Sequence, residues 1–332
     1  MKFSTLIKNY RQRNSLSQEE LAQLLAVLEL SHRALDAGTI SRWERGVNAP
    51  TLKNQIRIIR KLSMNVTSKS LHQRSVTIPE EGIEKLKTRF NRSPRLVDKF
   101  YDNAKPKMFC IIHDNIRSFT DDRRLMDFTF DAYGINVNQE GALHKLIYIA
   151  GDDGEGTSVV LKFYNKAEEI VGHLVLVINK TRKIIDFLKC LKGTVSAHEI
   201  KKQLNGYTLF SVSGYASNFC VYLYICHYIM DVLNKDLGID WYIGNTFINE
   251  DWHVLKELGA DVVSKGNIVH GGGVKIGGRR YSSLTCCIDV CSLLASSLIY
   301  IDTHHIAKYG YVFSRSNTEK DAVNLQTSAI NG

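Results

Sequence analysis

The chain has 332 residues, of which 44% are hydrophobic and 23% charged, with only four prolines. This length and composition predict two globular domains and exclude a largely disordered chain. The net charge of +9 is uneven, since residues 1–107 hold 21 Lys/Arg against 10 Asp/Glu and residues 108–332 hold 22 against 24. A basic N-terminal part suits attraction to nucleic-acid phosphate, although a solvated charged surface would give the same excess.

The cysteines and the apolar stretches indicate the cellular compartment in which the protein is expected. The seven cysteines include no Cys-x-x-Cys pair and no His at zinc spacing, so we expect mostly buried thiols in a reducing environment. The N-terminus carries Lys2 and Lys8 with no apolar run behind them, which predicts no secretory signal. The most apolar stretch, residues 284–301, is interrupted by Asp289 and several serines. These features predict a cytoplasmic protein without a membrane span.

The first sixty residues contain the spacing of several short helices. A first helix is indicated by four apolar residues at helical spacing, Phe3, Leu6, Ile7 and Tyr10. In LSQEELAQLL, residues 16–25, Ser17 and Glu20 form a capping box that predicts the start of a second helix. In TISRWERGVNAP, residues 39–50, Ile40 and Trp43 fall on one buried face.

The ends of the third helix and the faces of a fourth follow from the same rules. Asp36 can cap the third helix and Gly46 can end it. The apolar face of the fourth helix is Leu52, Ile56, Ile59 and Leu62. Its expected solvent side is Lys53, Arg57, Arg60 and Lys61.

The pair LSQEELAQLL and TISRWERGVNAP resembles the Cro and lambda-repressor type of helix-turn-helix, the XRE family. In that family the second helix braces the DNA backbone and the third places its N-terminal residues against base edges in the major groove. The resemblance implies eight DNA-binding residues: Gln18, Gly38, Thr39, Ser41, Arg42, Arg45, Asn48 and Lys53. The segment AVLELSHRALDAG between the two motifs is longer than the family's turn, which leaves open whether Gly38 reaches DNA.

Individual roles follow from the resemblance and from side-chain chemistry. Gln18 is expected to bind phosphate or to orient the third helix. The residues expected to face bases are Gly38, Thr39, Ser41 and Arg42, and those expected to face the backbone are Arg45 and Asn48. A guanidinium such as that of Arg42 can make two bonds to guanine, worth roughly 1–3 kcal/mol of discrimination. For Arg45, an ion pair with Glu44 or Asp36 is the alternative to phosphate contact.

The middle of the chain predicts a connector followed by mixed elements. Residues 63–82 are polar and predict a linker, and residues 83–100 predict a basic helix that either extends the DNA contact or packs on the second domain. Strands are predicted at residues 146–150, 158–164, 170–179, 207–212 and 241–243, the second and third in an antiparallel meander. Helices are predicted at residues 219–237 and 249–258, before a final β section at residues 273–294.

This order of elements resembles the GNAT acetyltransferase superfamily. The matching segments are EEIVGHLVLVINKTRKIIDF, residues 168–187, as a central hairpin, and INEDWHVLKELGADVV, residues 248–263, as a helix ending in Leu-Gly-Ala. The resemblance implies an α+β fold with a mostly antiparallel central sheet. It also implies that acetyl-coenzyme A would be held by five residues: Ser213, Gly214, Ala216, Ser217 and Asn218.

Two departures from that family argue against catalysis. The loop SVSGYASNF, residues 211–219, has a single glycine and no Arg or Gln, and Leu255 stands in the region of the family's late tyrosine. We therefore assign no catalytic residues and expect a ligand sensor or dimerisation unit rather than an enzyme. The adjacent His304 and His305 diverge and predict no metal site. The segment HGGGVKIGG, residues 270–278, favours a glycine-rich β-turn over a phosphate cradle.

Together these patterns predict a multi-domain protein. Its parts are a helix-turn-helix domain at residues 1–65, a linker and connecting helix at 66–105, a GNAT-like domain at 106–315 and a flexible tail at 316–332. The expected function is repressor-like, sequence-specific transcription regulation by a homodimer that binds double-stranded DNA in the nucleoid, with no cofactor and no metal. One alternative is a DNA-tethered acyltransferase that uses acetyl-coenzyme A. Another is an antitoxin or phage-type repressor whose C-terminal domain binds a small molecule or a small protein.

Overall fold

The computed structural model describes residues 2–28, 35–64, 71, 109–133, 139–152, 154–165, 168–192, 206–296 and 315–316. Within these residues, the N-terminal part has four helices, α1 (Phe3–Arg13), α2 (Gln18–Val27), α3 (Ala37–Glu44) and α4 (Leu52–Lys61). Each coincides with a helix predicted from apolar spacing. Their shared core includes Ile7, Leu21, Leu25, Ile40 and Ile56, all essentially inaccessible to solvent.

Local hydrogen bonds fix where these helices begin and end. The Glu20 amide donates to Ser17 Oγ at 3.1 Å, and the Ser17 amide donates to Glu20 Oε2 at 2.6 Å, which completes the capping box. The Thr39 amide donates to Asp36 Oδ1 at 2.6 Å, and hydrogen bonds with the side chain and the amide of Thr39 lower the pKa of Asp36. Gly46, with φ of +70°, follows α3. The predicted caps and stop of these helices are therefore confirmed.

The larger part of the chain is a mixed α/β domain. Its helices are α5 (Arg117–Thr120), α6 (Arg123–Tyr133), α7 (Gln139–Ile147), α8 (Thr181–Lys192), α9 (Phe219–Lys235), α10 (Asn249–Glu257) and α11 (Val290–Leu294). Its longer strands are β1 (Phe109–His113), β2 (Thr157–Tyr164), β3 (Ile170–Lys180), β4 (Tyr207–Ala216), β5 (Ile239–Thr246), β6 (Asp261–Lys265) and β9 (Leu284–Asp289). The short strands are β7 (Val274–Ile276), β8 (Arg279–Tyr281) and β10 (Arg315–Ser316).

Eight strands form one sheet in the order β10-β1-β2-β3-β4-β5-β9-β6. Neighbours are antiparallel except for the β1–β10 and β4–β5 pairs, so the expected mostly antiparallel sheet is present. The side chains of α9 belong to one apolar cluster, together with side chains of the sheet. The side chains of α5 to α8 contribute to a second apolar cluster. The hairpin β7–β8 turns through Gly277 and Gly278, both with positive φ, which confirms the predicted glycine-rich turn.

One predicted β segment is helical and the second half of another is helical, which corrects the sequence-based assignment. Residues 146–150, predicted as a strand, span the end of α7 and a π-helical turn (Tyr148–Asp152). Residues 168–187, predicted as a hairpin, contain β3 followed directly by α8. In both places the buried residues follow helical spacing, as in Ile184 and Leu188 of α8. A short apolar run does not by itself distinguish a strand from a buried helix.

Helix α4 packs against the larger domain through α11. Its predicted solvent side is therefore wrong in part, since Arg60 is only 7% exposed. Apolar spacing identifies which face of a helix is polar, but it does not reveal that another domain covers that face. The predicted helix at residues 83–100, the pair His304 and His305, and residues 317–332 lie outside the described residues. None of the described helices is long and apolar enough to cross a membrane.

Candidate nucleic-acid interface and ligand site

One side of α3 is fixed in the core of the N-terminal helices. Ile40 is fully buried and Trp43 is 8% exposed. The Trp43 ring meets the Phe3 ring of α1 edge to face, with 5.9 Å between ring centroids. These contacts leave the opposite side of α3 directed away from the core.

Glu44 at the end of α3 joins that helix to both preceding helices. Its carboxylate accepts from Arg11 Nε at 2.6 Å and from Gln18 Nε2 at 2.8 Å. Burial alone would raise the pKa of Glu44, but the hydrogen bonds from Arg11 and Gln18 outweigh burial and lower it. Gln18, expected either to bind phosphate or to orient the third helix, thus holds α3 against α2. Sequence reasoning missed the role of Glu44, because its partners are distant in the chain.

The outward side of α3, here called the α3 face, consists of Gly38, Thr39, Ser41, Arg42 and Arg45. Gly38, Arg42 and Arg45 are exposed, and Thr39 and Ser41 are half-buried. The Arg42 guanidinium donates to Thr39 Oγ1 at 3.0 Å, and Arg45 Nε donates to the Ser41 carbonyl at 3.4 Å. Five of the residues assigned to DNA by resemblance therefore share one accessible surface.

The other two residues assigned to DNA differ in setting. Asn48 is exposed in the segment that follows α3. Lys53, at the start of α4, lies 3.2 Å from Asp289 of the larger domain. Asp289 also accepts from Arg57 at 2.6 Å, so Lys53 belongs to the contact between the domains.

In the larger domain, the strands β4 and β5 are paired over only part of their length. Their ladder runs from the Tyr207–Ile239 pair to the Phe210–Ile243 pair. Beyond it, β4 continues to Ala216 beside β3, and β5 continues to Thr246 beside β9. The two central strands therefore separate in the middle of the sheet.

Tyr242 lies beside the point where these strands separate. Its hydroxyl hydrogen-bonds with Ser211 of β4, and burial raises the pKa of this phenol. Tyr242 is therefore neutral at physiological pH and joins β5 to β4. This polar contact between the separating strands was not foreseen, because it depends on the register of two strands distant in sequence.

A buried polar cluster, here called the His173 cluster, lies next to Ser213 of β4. His173 Nε2 is 2.7 Å from Ser213 Oγ, and Thr129 Oγ1 of α6 lies 2.8 Å from the same oxygen. Burial lowers the pKa of His173 to about 3, so its imidazole is neutral. Nearby, Lys162 Nζ and Asp122 Oδ2 form an ion pair at 3.1 Å. The cluster offers hydroxyl and imidazole groups beside the separated strands.

Several backbone amides in the loop after β4 and at the start of α9 donate hydrogen bonds to other groups of the protein. Asn218 Oδ1 accepts from the amides of Cys220 and Val221, each at 3.1 Å, and so caps α9. The Ser217 amide donates to the Val171 carbonyl at 3.0 Å. A phosphate group at this helix start would have to displace the Asn218 side chain. The five residues assigned to acetyl-coenzyme A all lie within residues 213–218, between the end of β4 and the start of α9.

No family model and no curated protein matches this chain. Among solved structures, Arabidopsis thaliana NAA60 in complex with acetyl-CoA matches at 12% identity and TM-score 0.31, over 54% of this chain and 98% of that one. An N-acetyltransferase from Staphylococcus aureus Mu50 matches at 10% identity and TM-score 0.28, over 55% and 97%. TofI, in a ternary complex with an inhibitor and MTA, matches at 13% identity and TM-score 0.28, over 56% and 95%.

Proposed function

We propose that the N-terminal helices bind double-stranded DNA sequence-specifically, with the α3 face in the major groove, and that the protein is a repressor-like transcription regulator. The observation that carries this proposal is that α3 has one side buried and the other accessible, with Thr39, Ser41 and Arg42 on the accessible side. An α-helix with its side chains is about 10–12 Å in diameter. The major groove is also about 12 Å wide and admits a helix.

The charge and the supporting contacts favour the same function. The basic excess of the chain lies in residues 1–107, where phosphate attraction would act. Glu44, held by Arg11 and Gln18, keeps the end of α3 in a fixed place. We propose that the protein acts as a homodimer on two half-sites about one helical turn apart, as other helix-turn-helix dimers do.

Selection of binding sites from random duplex DNA tests this proposal. We expect one enriched sequence, bound with an affinity that falls steeply as salt is raised. The double variant Arg42→Gln with Arg45→Gln should lose the enrichment. A matched control is Arg123→Gln with Arg124→Gln, which removes two exposed charges from α6 and should leave the enrichment unchanged. No enriched sequence, or equal behaviour of the two double variants, would overturn the proposal.

A second candidate function for the larger domain is the binding of acetyl-coenzyme A, with acyl transfer to an amine as its catalytic form. The observation that favours it is the separation of β4 from β5 after the Phe210–Ile243 pair, next to a loop that leads into α9. An extended thioester could lie between strands that no longer pair. The internal use of the loop amides favours weak binding and a sensing role.

Calorimetry with acetyl-coenzyme A, combined with an assay for released thiol, separates binding from turnover. Heat of binding without thiol release in the presence of candidate amines would indicate a sensor. Thiol release that depends on the amine would indicate an acyltransferase. The variant Gly214→Trp, which places a large side chain next to Leu174 in the middle of the sheet, should abolish the heat. No heat at millimolar ligand would eliminate this second candidate.

A further inference from the structure

A buried arginine of α4 contacts the far end of α9. Arg60 donates to three carbonyl oxygens, those of Leu233 at 2.6 Å, Asp236 at 2.9 Å and Ile239 at 2.5 Å. These carbonyls lie at the C-terminal end of α9 and at the start of β5. A cation is favoured at a helix C-terminus, where carbonyls lack intrahelical partners. The guanidinium of Arg60, which belongs to the N-terminal helices, therefore supplies hydrogen-bond donors to the carbonyls at the C-terminal end of α9.

Further ion pairs surround this contact. Asp289, which caps α11, pairs with Arg57 at 2.6 Å and with Lys53 at 3.2 Å. Lys61 pairs with Asp240 at 3.3 Å. Every basic residue of α4 is therefore directed at the larger domain.

Apolar packing is also continuous from α3 to α9. Ile56 and Ile59 of α4 belong to the same buried cluster as Ile40 of α3 and Leu233 of α9. The α3 face remains accessible in this arrangement. The N-terminal helices and the larger domain therefore share one apolar core that leaves the α3 face accessible.

Helix α9 connects this contact to the candidate ligand loop. It begins after Asn218, the last of the residues assigned to acetyl-coenzyme A, and ends next to the carbonyls that Arg60 contacts. Its 17 residues span about 25 Å. A bound phosphate that displaced the Asn218 side chain would act on the N-terminal end of α9. The C-terminal end of α9 contacts the buried guanidinium of Arg60. Because a buried guanidinium is costly to separate from its acceptors, α4 has to follow a movement of α9.

We propose that α9 and Arg60 couple the two sites, so that acetyl-coenzyme A bound at residues 213–218 changes the affinity of the α3 face for DNA. This inference rests on both functions proposed above and adds their regulation. Arg60 is a positioning residue, since it contacts neither ligand. Coupling of this kind is reciprocal, so DNA must change the affinity for acetyl-coenzyme A by the same factor.

The test measures the DNA affinity of the full chain with and without saturating acetyl-coenzyme A, and the acetyl-coenzyme A affinity with and without the selected DNA. We expect both ratios to be equal and to differ from one by at least about fivefold, within the usual range of coupling between sites. Arg60→Lys keeps the charge but loses the planar guanidinium, so it should bring both ratios close to one. Arg182→Lys, an exposed exchange on α8, should leave them unchanged.

The outcomes are separable. Absence of DNA binding or of acetyl-coenzyme A binding in the unaltered chain means that a proposed function fails, and this inference fails with it. Binding of both with ratios of one overturns the coupling alone. Equal coupling in the Arg60→Lys and Arg182→Lys variants overturns the role of Arg60. If Arg60→Lys does not fold, Arg57→Gln replaces it, since it removes one pair with Asp289 and should lower the coupling in part.

Discussion

Helices α3 and α4 are neighbours in sequence and both carry arginines, yet these arginines lie in different surroundings. Arg42 of α3 is exposed and donates to the Thr39 hydroxyl of its own helix. Arg60 of α4 is 7% exposed and contacts three carbonyls of another domain. A positive charge in the sequence therefore does not distinguish an exposed arginine from one that joins two domains.

The largest effect is expected from replacing Arg60. Arg60→Met leaves three carbonyl oxygens, two of them in buried contacts, without their donor, so the free energy of unfolding should fall by about 3 kcal/mol. Arg42→Met, in contrast, should change it by less than about 0.5 kcal/mol, since the side chain is exposed. Urea unfolding followed by circular dichroism measures both. Equal effects would contradict the difference between the two helices.

The next effect concerns recognition by α3. Arg42→Ala should reduce the preference for the selected DNA sequence over a scrambled one by roughly 1–3 kcal/mol, with little change in binding to the scrambled duplex. Fluorescence anisotropy at one fixed salt concentration measures this ratio. A uniform loss on both duplexes would instead assign Arg42 to phosphate contact.

A smaller effect concerns the pH dependence of the contact that fixes α3. Because hydrogen bonds from Arg11 and Gln18 lower the pKa of Glu44 below its ordinary value of 4.5, the unfolded chain takes up a proton first as the pH falls. The stability that this group contributes is present above pH 4.5 and is lost as the pH falls through the lowered pKa. Glu44→Gln should flatten this part of the stability profile, measured by thermal unfolding between pH 7 and pH 3. An unchanged slope would remove Glu44 as its source.

The smallest effect is expected next to Arg60. Lys61 and Asp240 are 45% and 28% exposed at their side chains, so solvent screens their pair. Lys61→Gln should cost less than about 0.5 kcal/mol of unfolding free energy, and 0.5 M salt should abolish the difference. A loss of unfolding free energy as large as that of Arg60→Met would mean that the surrounding ion pairs, rather than the Arg60 guanidinium, hold α4 against the larger domain.

The sequence predicted those features that depend on near neighbours. The capping box at Ser17, the cap at Asp36 and the turn at Gly277 each arise within a few residues, and the structure has all of them. The mostly antiparallel sheet was expected from the resemblance in the order of elements, and the structure has it. Contacts such as Arg60 with Leu233, or Tyr242 with Ser211, join distant segments, and a single sequence carries no spacing signal for them.

The candidate sites were predictable to different degrees. The α3 face followed from motif positions, and its five residues do lie together. Lys53 illustrates the limit of carrying a role over by position, because its partner Asp289 is more than two hundred residues away in the chain. The strand assigned to residues 146–150 failed for a related reason, since Leu146, Ile149 and Ala150 are buried at a spacing that fits a helix and that a five-residue window does not resolve.

The two-residue strand β10 lies on the outer side of β1, where Arg315 pairs with Cys110 and Ser316 with Ile111. An uncovered edge of a sheet has unpaired amides and carbonyls, with which an extended segment of another chain can pair. Shortening the protein before Arg315 would uncover part of that border. Such a truncated chain should self-associate through its uncovered strand and become more prone to precipitate as its concentration rises.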